Sequence, residues 1–383
     1  MKYIKINTSI VAVLLIVLCA CNRDELFERE QYKAVVAIKS EGESNFFNQI
    51  LDLNSNNKDE DGFVRGFISA NVGGTSPTTE PIVITLTEDA DMLNQYNLYN
   101  NETDADKYYR FLPKNRYKIP EMKITIPAGK RDGIMPIWIN ADGLSPDSVY
   151  IIPFRVVRCS AYEMNPEKST VFYRVERKNE WSYTSANGNT LSAPSYSQRG
   201  SWTSSAAIYN QMTNWLNGDP GVIKPSLTQL LASKTIWVVS HNELRMFGST
   251  KVAVDADADP AVFYPRWCIN IKIEDEKIEF EEEVEVDGEV MMVKTPTNMH
   301  KITLTHWRED HIEGIQLTQI DNDVFNSESR YLNSYELVTD DWGFKYHVFR
   351  LCYDFVEFGS TILTPRRIWE ELRLDYTEDL NKK

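Results

Sequence analysis

Short runs of β-branched and aromatic residues recur at intervals of roughly 8–15 residues, with Gly, Pro, Asn and Asp between them. That punctuation excludes long helices and βαβ alternation, and it leaves small antiparallel sheets as the available architecture. Residues 33–39 (KAVVAIK) read as a first strand, and Phe63–Val72 (FVRGFISANV) alternates as a second. The hydrophilic stretch Gly42–Gly62 between them contains an Asn/Asp-rich loop, and no strand is assigned in it. Ile82–Thr87, Met122–Ile126, Ile134–Ile139, Tyr150–Val157 and Thr170–Arg177 continue the set. The turns between them are Gly73-Gly74-Thr75-Ser76-Pro77, Pro127-Ala128-Gly129-Lys130 and Leu144-Ser145-Pro146-Asp147. Only Glu88–Asn100 changes period: Met92, Leu93, Tyr96 and Tyr99 fall at helical spacing, so one helix is inserted. Pro153 cannot donate to a ladder and is expected at an edge or a bulge. Residues 33–178 are thus expected to form an immunoglobulin-like β-sandwich.

The remainder, residues 179–383, begins with a polar stretch, Ser182–Arg199, that reads as strand and loop. Ser204–Leu216 is amphipathic, with Ile208, Met212, Trp215 and Leu216 on one face and Gly218 beyond, so a helix is expected. After Pro225 nearly every segment reads as strand. Examples are Thr235–Ser240, Trp267–Ile273, Lys277–Val286, Lys301–Trp307, Tyr331–Val338, Tyr346–Phe355 and Arg367–Tyr376. So many antiparallel strands at hairpin spacing indicate a barrel or a second sandwich, and a lipocalin-like β-barrel with one or two short helices is the first expectation. Glu279–Glu285 holds five acids in seven residues and reads as a solvated hairpin face.

The N-terminus carries an address. Lys2 and Lys5 precede an apolar run, Ile10–Cys19, which ends at Leu18-Cys19-Ala20-Cys21. That ending resembles the lipobox of bacterial lipoproteins. The resemblance implies that residues 1–20 are a signal peptide and that Cys21 is lipidated. Acyl chains on Cys21 would anchor the protein without spanning the bilayer. Residues 21–32 form an acidic tether (Asp24, Glu25, Glu28, Glu30) that resembles a surface-export signal.

The formal charge is −15, and −17 once Lys2 and Lys5 leave with the signal. Such a balance disfavours nucleic acid, whose affinity comes largely from Lys and Arg on phosphates. Of five cysteines, Cys159, Cys268 and Cys352 remain after processing and acylation; each lies in apolar context and is expected as a buried thiol. No CxxC, P-loop, G-x-S-x-G or H-E-x-x-H motif occurs. Asp255, Asp257 and Asp259 mimic the start of an EF-hand loop, but Pro260 and Arg266 replace the Gly and Glu that loop needs. His306 and His311 are the only closely spaced histidines, around an expected turn. No metal site, cofactor or catalytic residue is therefore assigned.

A more specific resemblance lies in the order of the N-terminal motifs. Tyr96-Asn97, Leu112-Pro113, Ile126-Pro127-Ala128-Gly129-Lys130 and Tyr150-Ile151-Ile152-Pro153 succeed one another as they do in a large family of Bacteroidetes surface lipoproteins. The match covers roughly residues 33–178, and the junction Asn179-Glu180-Trp181 continues it. In that family these positions are structural, and the resemblance implies a spacer sandwich beneath a glycan-binding domain. It further implies an oligosaccharide ligand, placement on the outer face of the outer membrane, and work beside a TonB-dependent transporter and its lid lipoprotein. Family 18 endoglycosidases follow a similar N-terminal domain, but their D-x-x-D-x-D-x-E string is absent here. A glycosidase with another carboxylate pair and a protein-binding adhesin are the rival readings.

Sugars present flat C–H faces rimmed by hydroxyls, so their sites pair an aromatic plate with directional polar groups. Trp237 and Trp267 lie in apolar runs and are expected in the core. Trp307 alternates with Thr303 and Thr305 on a polar face beside Arg308. Trp342 and Asp341 sit in the turn Asp340-Asp341-Trp342-Gly343. Trp369 shares its strand face with Arg367, Glu371 and Arg373; Tyr196 and Trp202 lie in the polar stretch before the helix. Trp342, Trp307, Trp202, Tyr196, Trp369, Asp341 and Arg308 are therefore the candidate ligand residues.

Overall fold

The computed structural model describes residues 33–74, 78–184, 195–205, 207–210, 217, 228–230, 233–248, 267–286, 289–307, 317–321, 333–356 and 365–376. Cys21, Arg308, His311, Trp215 and the Asp255–Asp259 loop lie outside the described residues.

The N-terminal part contains β1 (Val35–Ile38), β2 (Phe46–Asp52), β3 (Val64–Val72), β4 (Ile82–Glu88), α1 (Ala90–Asn101), β5 (Lys123–Ile126), β6 (Asp132–Ile139), β7 (Tyr150–Cys159) and β8 (Thr170–Lys178). Hydrogen bonding runs β2–β8–β7–β4–β5–β6–β3–β1, with β2 and β8 parallel and the other pairs antiparallel. The path is thinnest at β5–β6, where Thr125 faces Ile134 and a Cβ on Gly133 would collide with the Thr125 carbonyl. Strands from both sides of that point share one apolar core, including Val36, Ile68, Ile84, Ile124, Ile137, Phe154 and Tyr173. Alternation places them there: in β6 Met135, Ile137 and Ile139 are buried, and in β4 Ile82, Ile84 and Leu86. Each fully buried aliphatic side chain contributes roughly 1.5–3 kcal/mol.

Two expectations need correction here. The Gly42–Gly62 stretch contains β2, whose Phe46, Phe47 and Leu51 run parallel to β8. Asn48, Gln49 and Asp52 hid it, because polar residues occupy both faces of this half-buried strand. Pro153 lies inside the central strand β7, paired with Phe172. It is tolerated because β4 pairing ends at Phe154, and the Pro153 carbonyl receives the Asp89 N–H where α1 begins. Asp89 caps α1 by accepting from Met92 N–H. The helix then packs Leu93 on Ile151 and Phe172. That outer layer also shelters Arg174, whose guanidinium lies 3.9 Å from the Phe46 ring centroid.

The C-terminal part contains β9 (Ser195–Ser204), β10 (Ser233–Val238), β11 (Glu243–Phe247), β12 (Cys268–Val286), β13 (Glu289–His306), β14 (Ser334–Thr339), β15 (Lys345–Val356) and β16 (Pro365–Asp375). Each pairs antiparallel with the next, and β16 pairs back onto β9. The ring is an eight-stranded up-and-down barrel, the first of the two architectures expected from the strand spacing. Its filling includes Tyr196, Ile236, Leu244, Met246, Ile271, Ile302, Phe349, Tyr353 and Leu372. β9 itself had read only as part of a polar stretch; its inward Gln198 finds a partner inside the barrel, in Glu370. Helical residues are described from Ser205 onward only as far as Asn210.

β12 absorbs two expected strands, Trp267–Ile273 and Lys277–Val286, and pairs along its length with β13. Register shifts between Ile273, Lys277 and Glu279 mark where this hairpin leaves the barrel wall. Beyond that point Glu279, Glu281, Glu282, Glu283 and Glu285 are exposed, as are Val290, Met291 and Met292 on the returning strand. The acidic run is therefore a solvated hairpin face.

Candidate functional site

The two β units meet along one end of the barrel. Asn179 Nδ2 donates to the Ser240 carbonyl at 2.9 Å, and Gly143 N–H donates to the Val239 carbonyl at 3.1 Å. His241 Nδ1 lies 3.0 Å from Asp142 Oδ2. Val238 of β10 packs into the sandwich core. On the outer barrel face Arg245 pairs with Asp147, and its guanidinium lies 4.6 Å from the Trp237 ring centroid. Burial lowers the pKa of this arginine, so the Asp147 carboxylate is its needed counter-charge.

Where these contacts end, a cleft of about 430 Å³ opens at the barrel mouth. Asn54, Glu180, Trp181, His241, Asn242, Ile273, Glu274, Asp275, Asn298, His300, Tyr335 and Leu337 line it. Its aromatic floor is built by the turn after β8. Asn179 Oδ1 accepts from the N–H groups of Trp181 and Ser182, at 3.1 and 2.9 Å. This turn drives the Trp181 ring edge-on into Tyr335, with centroids 5.3 Å apart. The Tyr196 hydroxyl donates to the Trp181 carbonyl at 2.8 Å and fixes the turn from inside the barrel. Tyr335 is backed by buried His347, whose Nδ1 lies 2.9 Å from the tyrosine hydroxyl. Burial pushes His347 down to about 4, so the imidazole is neutral.

The polar wall divides into held and open groups. Asn54 is held: it accepts from Glu180 N–H and donates to the His241 carbonyl. His300 Nδ1 lies 3.0 Å from the Glu274 carbonyl and donates its proton there. Glu274 is bonded by Lys272 and by the Thr303 hydroxyl, and these hold its carboxyl below the usual range. Desolvation by the surrounding protein raises Glu180, and His300 opposes the shift. The side chains of Glu180, Asp275 and Asn298 have no hydrogen-bond partner among the described residues. No group of three or more His, Cys, Asp or Glu among the described residues is placed to hold a metal ion.

An aromatic platform stands on the same hairpin that lines the cleft. β14 supplies Tyr335 and Leu337 and then turns at Asp340–Gly343 into β15. Asp340 accepts from Trp342 N–H at 3.0 Å, Phe344 N–H at 2.9 Å and Tyr346 hydroxyl at 2.9 Å. Gly343 closes the turn at φ 85°, a conformation that suits glycine. Trp342 is left 87% exposed and Phe344 65% exposed. Asp341 is exposed beside them.

The other sequence candidates lie elsewhere. Tyr196 is fully buried and points into the barrel, as Gln198 does on the same strand face. Trp369 does lie on the outer face of β16, but it is only 7% exposed, covered by Ile208 and Cys352. Strand alternation placed its face correctly and could not show the segment that covers it. Trp307 is half-buried against the sandwich, its Nε1 donating to Asp147 Oδ2 at 3.1 Å. The backbone of Trp202 belongs to β9 opposite Ile368, and its side chain lies outside the described residues. Trp237, expected in the core, is half-buried under Arg245. Cys268 and Cys352 are buried and Cys159 is half-buried, and none of the three is in a disulfide among the described residues.

Sequence reasoning missed Glu180, Trp181 and the Glu274–His300 wall. Asn179-Glu180-Trp181 was legible as a junction, and binding sites favour domain junctions. That signal was available and was read only as a boundary.

Comparison with known proteins places this architecture among others. A family model described as a "-like, N-terminal domain" matches residues 31–163. No curated protein matches the chain. A solved Bacteroides ovatus protein of unknown function is 15% identical, covers 89% of this chain and 94% of its own, and superposes with a TM-score of 0.52. A second Bacteroides ovatus protein of unknown function is 14% identical, with 92% and 93% covered and a TM-score of 0.50. An auxiliary nutrient binding protein from Bacteroides thetaiotaomicron is 16% identical, with 88% and 92% covered and a TM-score of 0.52. The chain thus shares a two-part, all-β fold with Bacteroides proteins over most of its length, and its N-terminal part matches a recognised N-terminal domain, which fits the Bacteroidetes lipoprotein family indicated by its sequence motifs.

Proposed function

We propose that this protein is a non-catalytic glycan-binding lipoprotein of the cell surface, with its ligand in the barrel-mouth cleft. The observation that carries the reading is the composition of that cleft. The buried rings of Trp181 and Tyr335 back a wall of open amide and carboxylate groups, and the hairpin that supplies Tyr335 raises the exposed rings of Trp342 and Phe344 at its tip. Flat rings and directional acceptors are what a saccharide needs. One solved structure of the same fold is described as nutrient binding, which supports the reading by analogy of fold. Lipidation at Cys21 would anchor the sandwich as a spacer, and a TonB-dependent transporter with its lid lipoprotein would receive the captured oligosaccharide. A glycan array of plant, microbial and host oligosaccharides tests this directly, and silence across it would favour a protein-binding adhesin. Cys21→Ala should release the protein from membranes without unfolding it.

A second reading rests on one observation. Glu180 and Glu274 line the same cleft and are pushed in opposite directions, Glu180 up by desolvation and Glu274 down by Lys272 and Thr303. Such a split is how one site keeps an acid and a base. Chromatography of array hits after incubation decides between the readings: turnover abolished by Glu180→Gln would make the protein a glycoside hydrolase.

A further inference from the structure

The charge of the cleft narrows what can enter it. Among its described lining residues are the carboxylates of Glu180, Glu274 and Asp275, and neither Lys nor Arg. Lys272 lies 3.0 Å from Glu274 and also feels Asp275, so one cation faces these two carboxylates. Glu180 and Asp275 have no cation within ion-pair distance among the described residues. His300 commits Nδ1–H to a backbone carbonyl, and His241 Nδ1 is committed to Asp142. The wall is therefore rich in acceptors and net negative. The hairpin that rises from it continues the same sign with Glu276, Glu279 and Glu281, against Lys294 and Lys301.

A sugar hydroxyl, an acetamido N–H or an ammonium can each donate into such a wall. A uronate or a sulfate brings only acceptors and a like charge, and juxtaposed like charges are strongly disfavoured. We propose that the cleft selects saccharides by charge, admitting neutral and amino sugars and turning away those that carry carboxylate or sulfate groups. This rests on the glycan-binding reading of the cleft and adds a ligand class to it.

The test uses matched oligosaccharides that differ only at C6, hydroxymethyl against carboxylate: gluco-, galacto- and manno-series and their uronates. Binding to the full chain without its signal is measured by calorimetry at low and high salt. The proposal expects each uronate to bind at least about tenfold more weakly than its neutral counterpart at low salt. It expects the gap to shrink as salt rises, and to shrink in Glu180→Gln/Asp275→Asn at any salt. Thermal melting shows that the variant is folded. A uronate that binds as well as its neutral partner overturns charge selection and leaves glycan binding standing. A gap unchanged by the double variant overturns the assignment to these carboxylates. Absence of binding by every member of every series overturns both readings.

Discussion

The sandwich and the barrel are both built from alternating strands, but they fill their interiors differently. The sandwich core is a cluster of aliphatic and aromatic side chains from Val36 to Val175, completed by Val238 of the barrel. The charges that the sandwich buries, Arg174, Glu176, Arg177 and Lys178, all lie on β8, whereas the barrel buries an ion pair across its interior. Lys234 Nζ lies 2.9 Å from Glu370 Oε2, and Glu370 also accepts from the Tyr353 hydroxyl at 2.6 Å and from Gln198. Neutral His347 sits under Tyr335 at the mouth. An apolar core needs only volume and pattern, whereas a buried polar network specifies which strand position faces which. The part that holds the ligand groups is the part whose interior is specified by hydrogen bonds.

Breaking that network should give the largest stability effect. Glu370→Ala leaves the Lys234 ammonium buried without its counter-charge and should cost the barrel about 3–5 kcal/mol in denaturant unfolding. Lys234→Met/Glu370→Leu should recover most of that loss, because both charges then go. If the double variant is as unstable as the single, the network is needed for more than charge balance.

Acid should separate the two units next. The folded barrel keeps His347 neutral down to about pH 4, whereas an unfolded imidazole takes its proton near pH 6.5. Between these values the unfolded chain holds the extra proton, so this stability is present above about pH 6.5 and is lost as pH falls toward 4. The loss amounts to about 3 kcal/mol. His347→Gln should flatten the pH dependence of barrel melting over that window. An equally steep slope in the variant would assign the effect to other groups.

The join between the units is a smaller term. Asp147→Ala removes the counter-charge of Arg245 and the acceptor of Trp307 Nε1. A loss of about 1–3 kcal/mol is expected, seen in calorimetry as separation of one transition into two. Trp342→Ala is expected to change stability by less than about 0.5 kcal/mol, since the ring is exposed, and to weaken glycan binding. Unaltered affinity in that variant would remove the platform from the site.

Much of this contrast was legible in the sequence, and the failures are physical ones. Alternation and β-branched content identified β4 and β6, whose buried faces are aliphatic, and hairpin spacing indicated the run of barrel strands. These signals missed β2 and β9, where Asn, Gln and Ser occupy strand positions and their partners are distant in sequence. Turn chemistry exposed Trp342 correctly, because Asp340 and Gly343 act within a few residues. It could not show that Ile208 covers Trp369, or that Asp147 holds Trp307, since those contacts join segments more than a hundred residues apart. The cleft was invisible for the same reason: Asn54, Trp181, His300 and Tyr335 converge only after both units fold and meet.

The account depends most on that cleft. Asn298 lines it from an exposed position on β13, so Asn298→Trp fills the space without entering either core. The decisive measurement is calorimetric titration of wild type and Asn298→Trp with the strongest ligand from the array. The account predicts loss of binding in a variant that melts like wild type. Wild-type affinity in the plugged protein would contradict it and move the site elsewhere on the barrel.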